Sequence, residues 1–195
     1  MSDAAPYIHP TAVVDDGAKI GPGSKIWHFC HVMPGAEIGA DVVLGQNAFV
    51  AGSVKIGDHC RIQNNVSLYD GVVLESGVFV GPSAVFTNVR RPRAMFPRKD
   101  RFETTIVGLG ASLGANCTVV CGVKIGRGAF VGAGAVVVKD VPAFAVLVGN
   151  PPRRVGWACL CGERLVENQD GAWCPACKRR YRASASGMEE EESKR

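Results

Sequence analysis

Hydrophobic residues recur along this chain at every sixth position. The series begins at Ile8, breaks after Phe86, resumes at Val107 and ends at Val137. Its twenty members, called anchors below, are Ile8, Val14, Ile20, Ile26, Val32, Ile38, Leu44, Val50, Ile56, Ile62, Leu68, Leu74, Val80, Phe86, Val107, Leu113, Val119, Ile125, Val131 and Val137. An α-helix would repeat its apolar residues every 3.6 positions and a lone amphipathic strand every two, so a period of six predicts neither alone.

A period of six fits a short strand followed by a turn. Four residues after each anchor comes a small or β-branched residue, with Arg90 as the departure. Three units would close one triangular coil of 18 residues, and successive coils would pair as parallel strands about 4.8 Å apart. Glycine, asparagine and aspartate would form the corners. The prediction is an all-β chain, a parallel β-helix over residues 1–156.

The interruption at residues 92–106 predicts one extruded loop. Basic residues crowd into and before it: Arg90, Arg91, Arg93, Arg98, Lys99 and Arg101. The loop is either a solvated basic tip or an anion site, and loops of this length are often functional. Guanidinium groups hold phosphates and carboxylates with paired hydrogen bonds, so we favour anion capture.

Residues 18 apart should stack vertically in such a prism. One column then holds His28, Gln46 and Asn64, and its neighbour holds Asn47, Asn65 and Ser83 above Phe29. Asp70 and Asn88 stack in another column, just before the loop. The side chains of the first two columns are either a ladder that satisfies the turn backbone or the wall of a sugar-binding groove, and the aromatic neighbours of His28 in the WHFCH run favour the groove.

Several longer segments resemble one enzyme family. They are IWHFCHV (26–32), LGQNAFV (44–50), IQNNVSLYDGV (62–72), GPSAVFTNVRRPR (81–93) and LGANCTVVCGVKIG (113–126). They resemble the hexapeptide-repeat acyltransferases, and among them the nucleotide-sugar 3-N-acetyltransferases. The resemblance implies a left-handed coil, a homotrimer with active sites between subunits, and acetyl-CoA as co-substrate. It also implies an acceptor used in surface polysaccharide (lipopolysaccharide O-antigen) biosynthesis, either UDP-2-acetamido-3-amino-2,3-dideoxy-glucuronate, the first choice, or a dTDP-linked 3-amino sugar.

This resemblance also directs the choice of site residues. Acyl transfer requires a positioned neutral amine and a stabilised oxyanion. Asn88 is the predicted positioning group, and His28 or His31 the possible base or a sugar contact, with His28 preferred. The predicted substrate-binding set is His28, His31, Gln46, Gln63, Asn64, Asn65, Tyr69, Asn88 and Arg93. Because it lies in the RPR segment that resembles the family, Arg93 is the first choice for anion capture.

Small residues after the loop are predicted to leave room for the pantetheine of acetyl-CoA. Gly110 and Ala111 stack in register with Gly128 and Ala129. Basic side chains further on would meet the phosphates. The predicted cofactor-binding residues are Gly110, Ala111, Ala129, Lys139, Arg153 and Arg154.

The eight cysteines fall into two classes. Cys30, Cys60 and Cys117 occupy the small inward position of their repeats and are predicted to be core thiols, and Cys121 to be passive. The other four, Cys159, Cys161, Cys174 and Cys177, are two close pairs flanking a hairpin at Asp170-Gly171. They predict a structural Zn²⁺ site in a zinc-ribbon-like tail, residues 157–182, with a redox dithiol as the alternative. Residues 183–195 are predicted to be disordered.

Composition limits the other functions. A net charge of +4 is too small to imply nucleic-acid binding, and no apolar run reaches the roughly 20 residues that a membrane helix needs. Without a recognisable secretory signal, the expectation is a cytoplasmic protein. Two competing functions remain. A γ-class carbonic anhydrase would need three clustered histidines, but His59 lies in a different column from His28 and His31; a non-catalytic scaffold would need only the surface.

Overall fold

The computed structural model describes residues 4–98, 102–169 and 171–191. Over these residues the chain forms twenty-six strands and no helix, so no described helix could span a membrane. The strands before the loop are β1 (Tyr7–Ile8), β2 (Val13–Val14), β3 (Lys19–Ile20), β4 (Lys25–Ile26), β5 (His31–Val32), β6 (Glu37–Ile38), β7 (Val43–Leu44), β8 (Phe49–Val50), β9 (Lys55–Ile56), β10 (Arg61–Ile62), β11 (Ser67–Leu68), β12 (Val72–Leu74), β13 (Phe79–Val80) and β14 (Val85–Phe86). Those after it are β15 (Thr105–Val107), β16 (Ser112–Leu113), β17 (Thr118–Val119), β18 (Lys124–Ile125), β19 (Phe130–Val131), β20 (Val136–Val137), β21 (Ala145–Val148), β22 (Arg153–Trp157), β23 (Val166–Asn168), β24 (Gly171–Trp173), β25 (Arg180–Ser184) and β26 (Gly187–Glu190).

The first twenty strands form the predicted three-sided prism. Each ends on an anchor, and every anchor from Ile26 onward is buried. Residues 18 apart pair in parallel, for example Tyr7 with Lys25 and Arg61 with Phe79. The first sheet has the order β1-β4-β7-β10-β13-β16-β19-β21-β22, the second β2-β5-β8-β11-β14-β17-β20 and the third β3-β6-β9-β12-β15-β18. The predicted parallel β-helix is confirmed.

Three corners join the sheets and set the positions of the polar side chains. The first corner leads from the first sheet to the second, the second corner from the second to the third, and the third corner from the third back to the first. In each coil from the second onward one first-corner residue has a positive φ, which asparagine tolerates better than most residues. These residues include Phe29, Asn47, Asn65, Ser83 and Asn116, with φ between 55° and 61°. Asparagine is therefore frequent here partly for backbone reasons.

The loop leaves the prism at the second corner, between β14 and β15. Phe79 pairs with Ser112, which is 33 residues further along rather than 18, so the 15-residue interruption adds no strand to the prism. The backbone N–H of Glu103 donates to the carbonyl of Asn88 at 3.3 Å. The two ends of the loop thus meet beside Asn88.

The prism extends beyond the last anchor of the sequence pattern. Val141 bridges to Ile125, and β21 pairs with β19 by placing Leu147 beside Val131. The step from Val137 to Val141 is four residues instead of six, which is why the period ended at Val137. Strand β22 then turns back antiparallel to β21 and leads into the tail.

The tail is an antiparallel sheet of β23, β24, β25 and β26. The predicted hairpin is confirmed by the pairing of Asn168 with Gly171; Asp170 itself lies outside the described residues. The predicted disorder from residue 183 is wrong for residues 183–191, because β25 pairs with β26 and Met188 is buried at 5% exposure. Residues 192–195 lie outside the described residues.

Candidate active site

The first corner carries a polar groove. Its cavity of about 300 Å³ is lined by Trp27, His28, Gln46, Gln63 and Asn64, together with backbone of the first sheet. Four of the predicted substrate-binding residues, His28, Gln46, Gln63 and Asn64, therefore share one cavity. The amides also serve the backbone, since the Asn64 side-chain oxygen accepts from the N–H of Gln46 at 2.9 Å.

The neighbouring column is a ladder. The side-chain nitrogen of Asn47 donates to the Asn65 side-chain oxygen at 3.1 Å, and both residues have a positive φ. Neither lines the groove. For Asn65 the geometry favours the backbone-ladder interpretation over the predicted sugar contact.

Aromatic rings close the lower end of the groove. The rings of His9 and His28 stack with centroids 3.5 Å apart, and Trp27 lies nearly parallel to His28 at 6.2 Å. Burial, and then the charge of His28, lower the pKa of His9. His28 is thus a half-buried member of an aromatic stack.

His31 lies on the outer face of the second sheet rather than in the groove. Its Nε2 is 2.9 Å from Oδ2 of Asp15. Its ring packs edge-on against Phe49 at 5.7 Å, and Phe49 in turn lies 5.9 Å from the exposed Tyr69. The two predicted substrate residues His31 and Tyr69 are therefore linked across this face through one aromatic ring.

Asn88 stands at the second corner, at the base of the loop. The strand register stacks it above Asp70 and below Cys121. Asp70 is occupied, because its Oδ1 accepts from the hydroxyl of Ser53 at 2.8 Å. The side chain of Asn88 is half-buried and forms no hydrogen bond with the described part of the chain. A free amide in this position can bind a ligand.

A basic cavity of about 250 Å³ adjoins Asn88, lined by Val89, Arg90, Arg91, Arg98 and Glu103. Arg90 is held in place, with Nη2 donating to the carbonyl of Cys121 at 3.0 Å and Nε 3.4 Å from Glu103. Arg91 and Arg98 are the other two basic residues in its wall.

The predicted first choice for anion capture, Arg93, does not line this cavity. It is exposed, and its Nη1 donates to the neighbouring carbonyl of Pro92 at 3.2 Å. Lys99 and Arg101 lie outside the described residues. Sequence spacing marked the basic loop but did not single out Arg91 and Arg98 as the residues that line the cavity.

His28 and Asn88 are not brought together within one chain. They occupy different corners, and the corner beside Asn88 lies three coils above His28, about 14 Å along the axis at the usual strand spacing. Joint action of the two residues on one amine therefore requires the site between subunits that the family resemblance implies, and it stays a prediction.

The predicted cofactor residues are dispersed. Ala111 and Ala129 are fully buried in the core, so neither side chain can face a cofactor. Gly110 is covered by Leu160 of the tail, whose Cδ2 lies 3.1 Å from where a Cβ would stand. The small size of these three residues accommodates the prism core and the tail, and their role in holding pantetheine against the backbone stays a prediction.

The basic cofactor candidates also lie apart. Lys139 is exposed at the second corner, in the same column as Asn88 and Cys121. Arg153 and Arg154 lie on β22 of the first sheet, with the Arg154 guanidinium 4.3 Å from the Trp157 ring centroid. Of the three, Lys139 stands in line with Asn88.

The core cysteines are inert by position. Cys30, Cys60, Cys117 and Cys121 are all buried. Burial raises the pKa of Cys30 and Cys60, and raises that of Cys117 to about 11. The thiolate, which is the reactive form, is therefore disfavoured in these three residues.

The tail cysteines converge. The ligand atoms of Cys159, Cys161, Cys174 and Cys177 all lie within 4.8 Å of one another. Two sulfur pairs, Cys159 with Cys177 and Cys161 with Cys174, are 3.4 and 3.5 Å apart. Sulfurs bonded to tetrahedral zinc at about 2.3 Å lie roughly 3.8 Å apart. The donor set and its spacing fit that ion.

The chain matches the family described as bacterial transferase hexapeptide (six repeats) at residues 17–52 and 53–88. It also matches the hexapeptide repeat of succinyl-transferase at 35–70 and 104–139. A relative from Aneurinibacillus thermoaerophilus, dTDP-3-amino-3,6-dideoxy-alpha-D-galactopyranose 3-N-acetyltransferase, is 40% identical over 90% of each chain. The chain belongs to the hexapeptide-repeat transferases. Its left-handed β-helix and its resemblance to the nucleotide-sugar 3-N-acetyltransferases, both expected from the sequence, are confirmed.

More distant hexapeptide-repeat transferases match less completely. Serine acetyltransferase 2 of Arabidopsis thaliana is 33% identical over 71% of this chain, which spans only 33% of that relative. The acetyltransferase domain of PglB from Neisseria gonorrhoeae, solved with acetyl coenzyme A, is 22% identical with a TM-score of 0.49, covering 77% of this chain and 58% of that one. That structural likeness adds nothing to the assignment.

Proposed function

We propose that the protein transfers the acetyl group of acetyl-CoA to the 3-amino group of a nucleotide-linked amino sugar, as a step in surface polysaccharide biosynthesis. The observation that supports this most strongly is the match to the dTDP-amino-sugar 3-N-acetyltransferase, 40% identical over 90% of both chains. The free amide of Asn88, beside a basic cavity, supplies a matching site.

The reaction would take place at the second corner. The amine nitrogen attacks the thioester carbonyl, the C–S bond breaks, and the amine gives up one proton as an amide and a free thiol form. Asn88 accepts a hydrogen bond from the attacking amine and orients its lone pair. Arg91 and Arg98 bind an anionic group of the acceptor, and Lys139, in line with Asn88, meets a phosphate of CoA.

The groove at the first corner would hold another part of the nucleotide sugar, with His28, Gln46, Gln63 and Asn64 as its contacts. Within a single chain this groove and Asn88 lie at different corners and three coils apart. We therefore propose a homotrimer in which the first corner of one chain lies beside the second corner of its neighbour. The outer faces of the prism support this arrangement. The first and second sheets expose apolar side chains such as Phe79, Phe130 and Val85, whereas the third carries the charged ladder Lys19–Glu37–Lys55.

Two acceptors are favoured by different observations. The relative's name favours a dTDP-linked 3-amino-dideoxysugar. The Arg91–Arg98 cavity favours UDP-2-acetamido-3-amino-2,3-dideoxy-glucuronate, whose uronate carboxylate would give these arginines a planar anion. The test is thiol release from acetyl-CoA with each sugar, with mass spectrometry of the product. Thiol release matched by one N-acetylated sugar supports the proposal, and none with either sugar would contradict it.

We also propose that the four tail cysteines bind one structural Zn²⁺. Four thiolates in a closed set leave no position for a substrate, so the ion would stabilise the fold and take no part in acyl transfer. Metal analysis of the purified chain should give one zinc per chain, and Cys161→Ser should lower that content.

A further inference from the structure

The upper end of the prism is sealed by the tail. The last interior residues, Val137, Val141 and Leu147, are at most 8% exposed, although no further coil lies above them in the described part of the chain. They belong to one hydrophobic cluster that continues without a break into Tyr181 and Met188. At the lower end, by contrast, the first anchor Ile8 is 41% exposed.

Tyr181 links the cysteine cluster to the prism. Its side chain is 1% exposed, and its ring packs edge-on against Phe144 with centroids 5.0 Å apart. Its hydroxyl oxygen lies 3.0 Å from Sγ of Cys159 and accepts from the N–H of Leu160 at 3.3 Å. One side chain thus touches both a proposed zinc ligand and the last coil.

Phe144 fits into the top of the third corner. It has a φ of 61°. Its ring packs directly against Gly128, and a Cβ on Gly128 would collide with Cε1 of this ring. The carbonyl of Phe144 accepts from the N–H of Ala158 at 2.8 Å. Gly110, one coil below Gly128, accommodates Leu160 in the same way. The glycines of this corner receive the tail.

A second attachment comes from the turn between β25 and β26. The N–H of Ala143 donates to the carbonyl of Ser186 at 2.9 Å, and the N–H of Met188 donates to the carbonyl of Ala143 at 3.1 Å. Gly187 packs so closely that a Cβ would stand 2.5 Å from the Ala143 oxygen. Glu190 adds ion pairs to Arg179 at 3.0 Å and Arg127 at 3.6 Å.

We propose that the tail is the C-terminal cap of the β-helix and that Zn²⁺ binding keeps this cap closed. The ion fixes Cys159, Cys159 holds the Tyr181 hydroxyl, and Tyr181 holds Phe144 on the prism. Terminal caps are what repeat proteins need to shield their last interior layer. Cys161 and Cys177 are exposed, so a chelator can reach the ion from outside. Metal loss then opens the last coil, residues 141–148. This inference rests on the proposed zinc site and is independent of acetyl transfer.

The test is hydrogen exchange of the full zinc-loaded chain before and after chelation, with zinc content measured in parallel. We expect exchange in residues 141–148 to become at least tenfold faster on zinc loss, while residues 26–74 stay unchanged. Equal exchange of residues 141–148 with and without zinc would overturn the proposal, as would a wild-type chain that retains no zinc.

Three variants sharpen the test. Cys161→Ser should lose zinc and show fast exchange in residues 141–148. Gly187→Ala should keep zinc yet show the same fast exchange, because it breaks the second attachment. Lys178→Asn, in the same turn as Cys177 and with a φ of 64° that asparagine accepts, should match wild type in both measurements. Since neither readout uses activity, failure of this proposal is separable from failure of the acetyltransferase proposal.

Discussion

The first and second corners of the prism both present polar side chains, but they hold them differently. At the first corner the amides of Asn64, Asn47 and Asn65 are tied to neighbouring coils by hydrogen bonds. At the second corner the amide of Asn88 is free within the described residues, and a basic loop stands next to it. An amide bonded to a neighbouring coil serves the fold, whereas a solvent-accessible amide without a described protein partner is open to a ligand. We therefore expect chemistry at the second corner and binding at the first.

The largest effect is expected for Asn88→Ala. Loss of the group that orients the amine should lower kcat about 100-fold with little change in KM. Steady-state thiol release from acetyl-CoA measures both constants. The matched control is Asn116→Gly, an exposed first-corner asparagine whose φ of 55° suits glycine, and it should keep wild-type turnover. Normal turnover of Asn88→Ala would remove the proposed distinction between the corners.

A smaller effect is expected for Arg98→Ala. Arg98 lines the cavity beside Asn88, so KM for a uronate-bearing acceptor should rise about tenfold while that for a 6-deoxy sugar changes little. Arg93→Ala, in the same loop but outside the cavity wall, is the comparison. A larger rise in KM for Arg93→Ala than for Arg98→Ala would show that Arg93 is the anion-binding residue, as expected from the sequence.

His28→Asn tests whether the first corner only binds. If His28 is only a groove contact, the His28→Asn variant should have a KM raised about three- to fivefold and an unchanged pH dependence of kcat. His59→Asn, exposed at the third corner, should behave as wild type. Loss of the acidic limb of the kcat profile in His28→Asn would show that this histidine is a base after all.

The smallest effect concerns the ionisation of the stacked pair His9 and His28. Burial lowers the pKa of His9 first, and the charge of His28 lowers it further, so the protonated form of His9 is disfavoured in the folded chain. The folded state should lose some stability as the pH falls below the ordinary histidine pKa. In an NMR titration, His28→Asn should raise the His9 pKa only in part, because burial remains. An unchanged value would show that the rings do not interact.

The β-helix was largely predictable because the twenty hydrophobic anchors recur at one fixed spacing, and that spacing sets both the strands and their parallel register. The prediction failed where a segment is held in place by contacts with residues far away in the sequence. Residues 183–191 look disordered by composition, yet Glu189 pairs with Arg182, and Glu190 reaches Arg127 on the prism. Likewise, Val141 was not recognised as part of the prism, because it follows the anchor Val137 by four residues instead of six.

The candidate site was predictable only along the columns. Stacking by 18 residues brought His28, Gln46 and Asn64 together correctly, because that register is set by the anchors. It could not predict which arginines of an irregular loop line the cavity, nor that Gly110 would lie beneath a tail residue 50 positions later. Both outcomes depend on packing between segments that share no period.

The most direct measurement of the central claim is a crystal structure of the protein with CoA and the nucleotide sugar that it acetylates. We predict that the 3-amino nitrogen lies within about 3.5 Å of the Asn88 side-chain oxygen, as an attacking group must be positioned, with the thiol of CoA close by. An amino group bound instead beside His28, far from Asn88, would contradict the account.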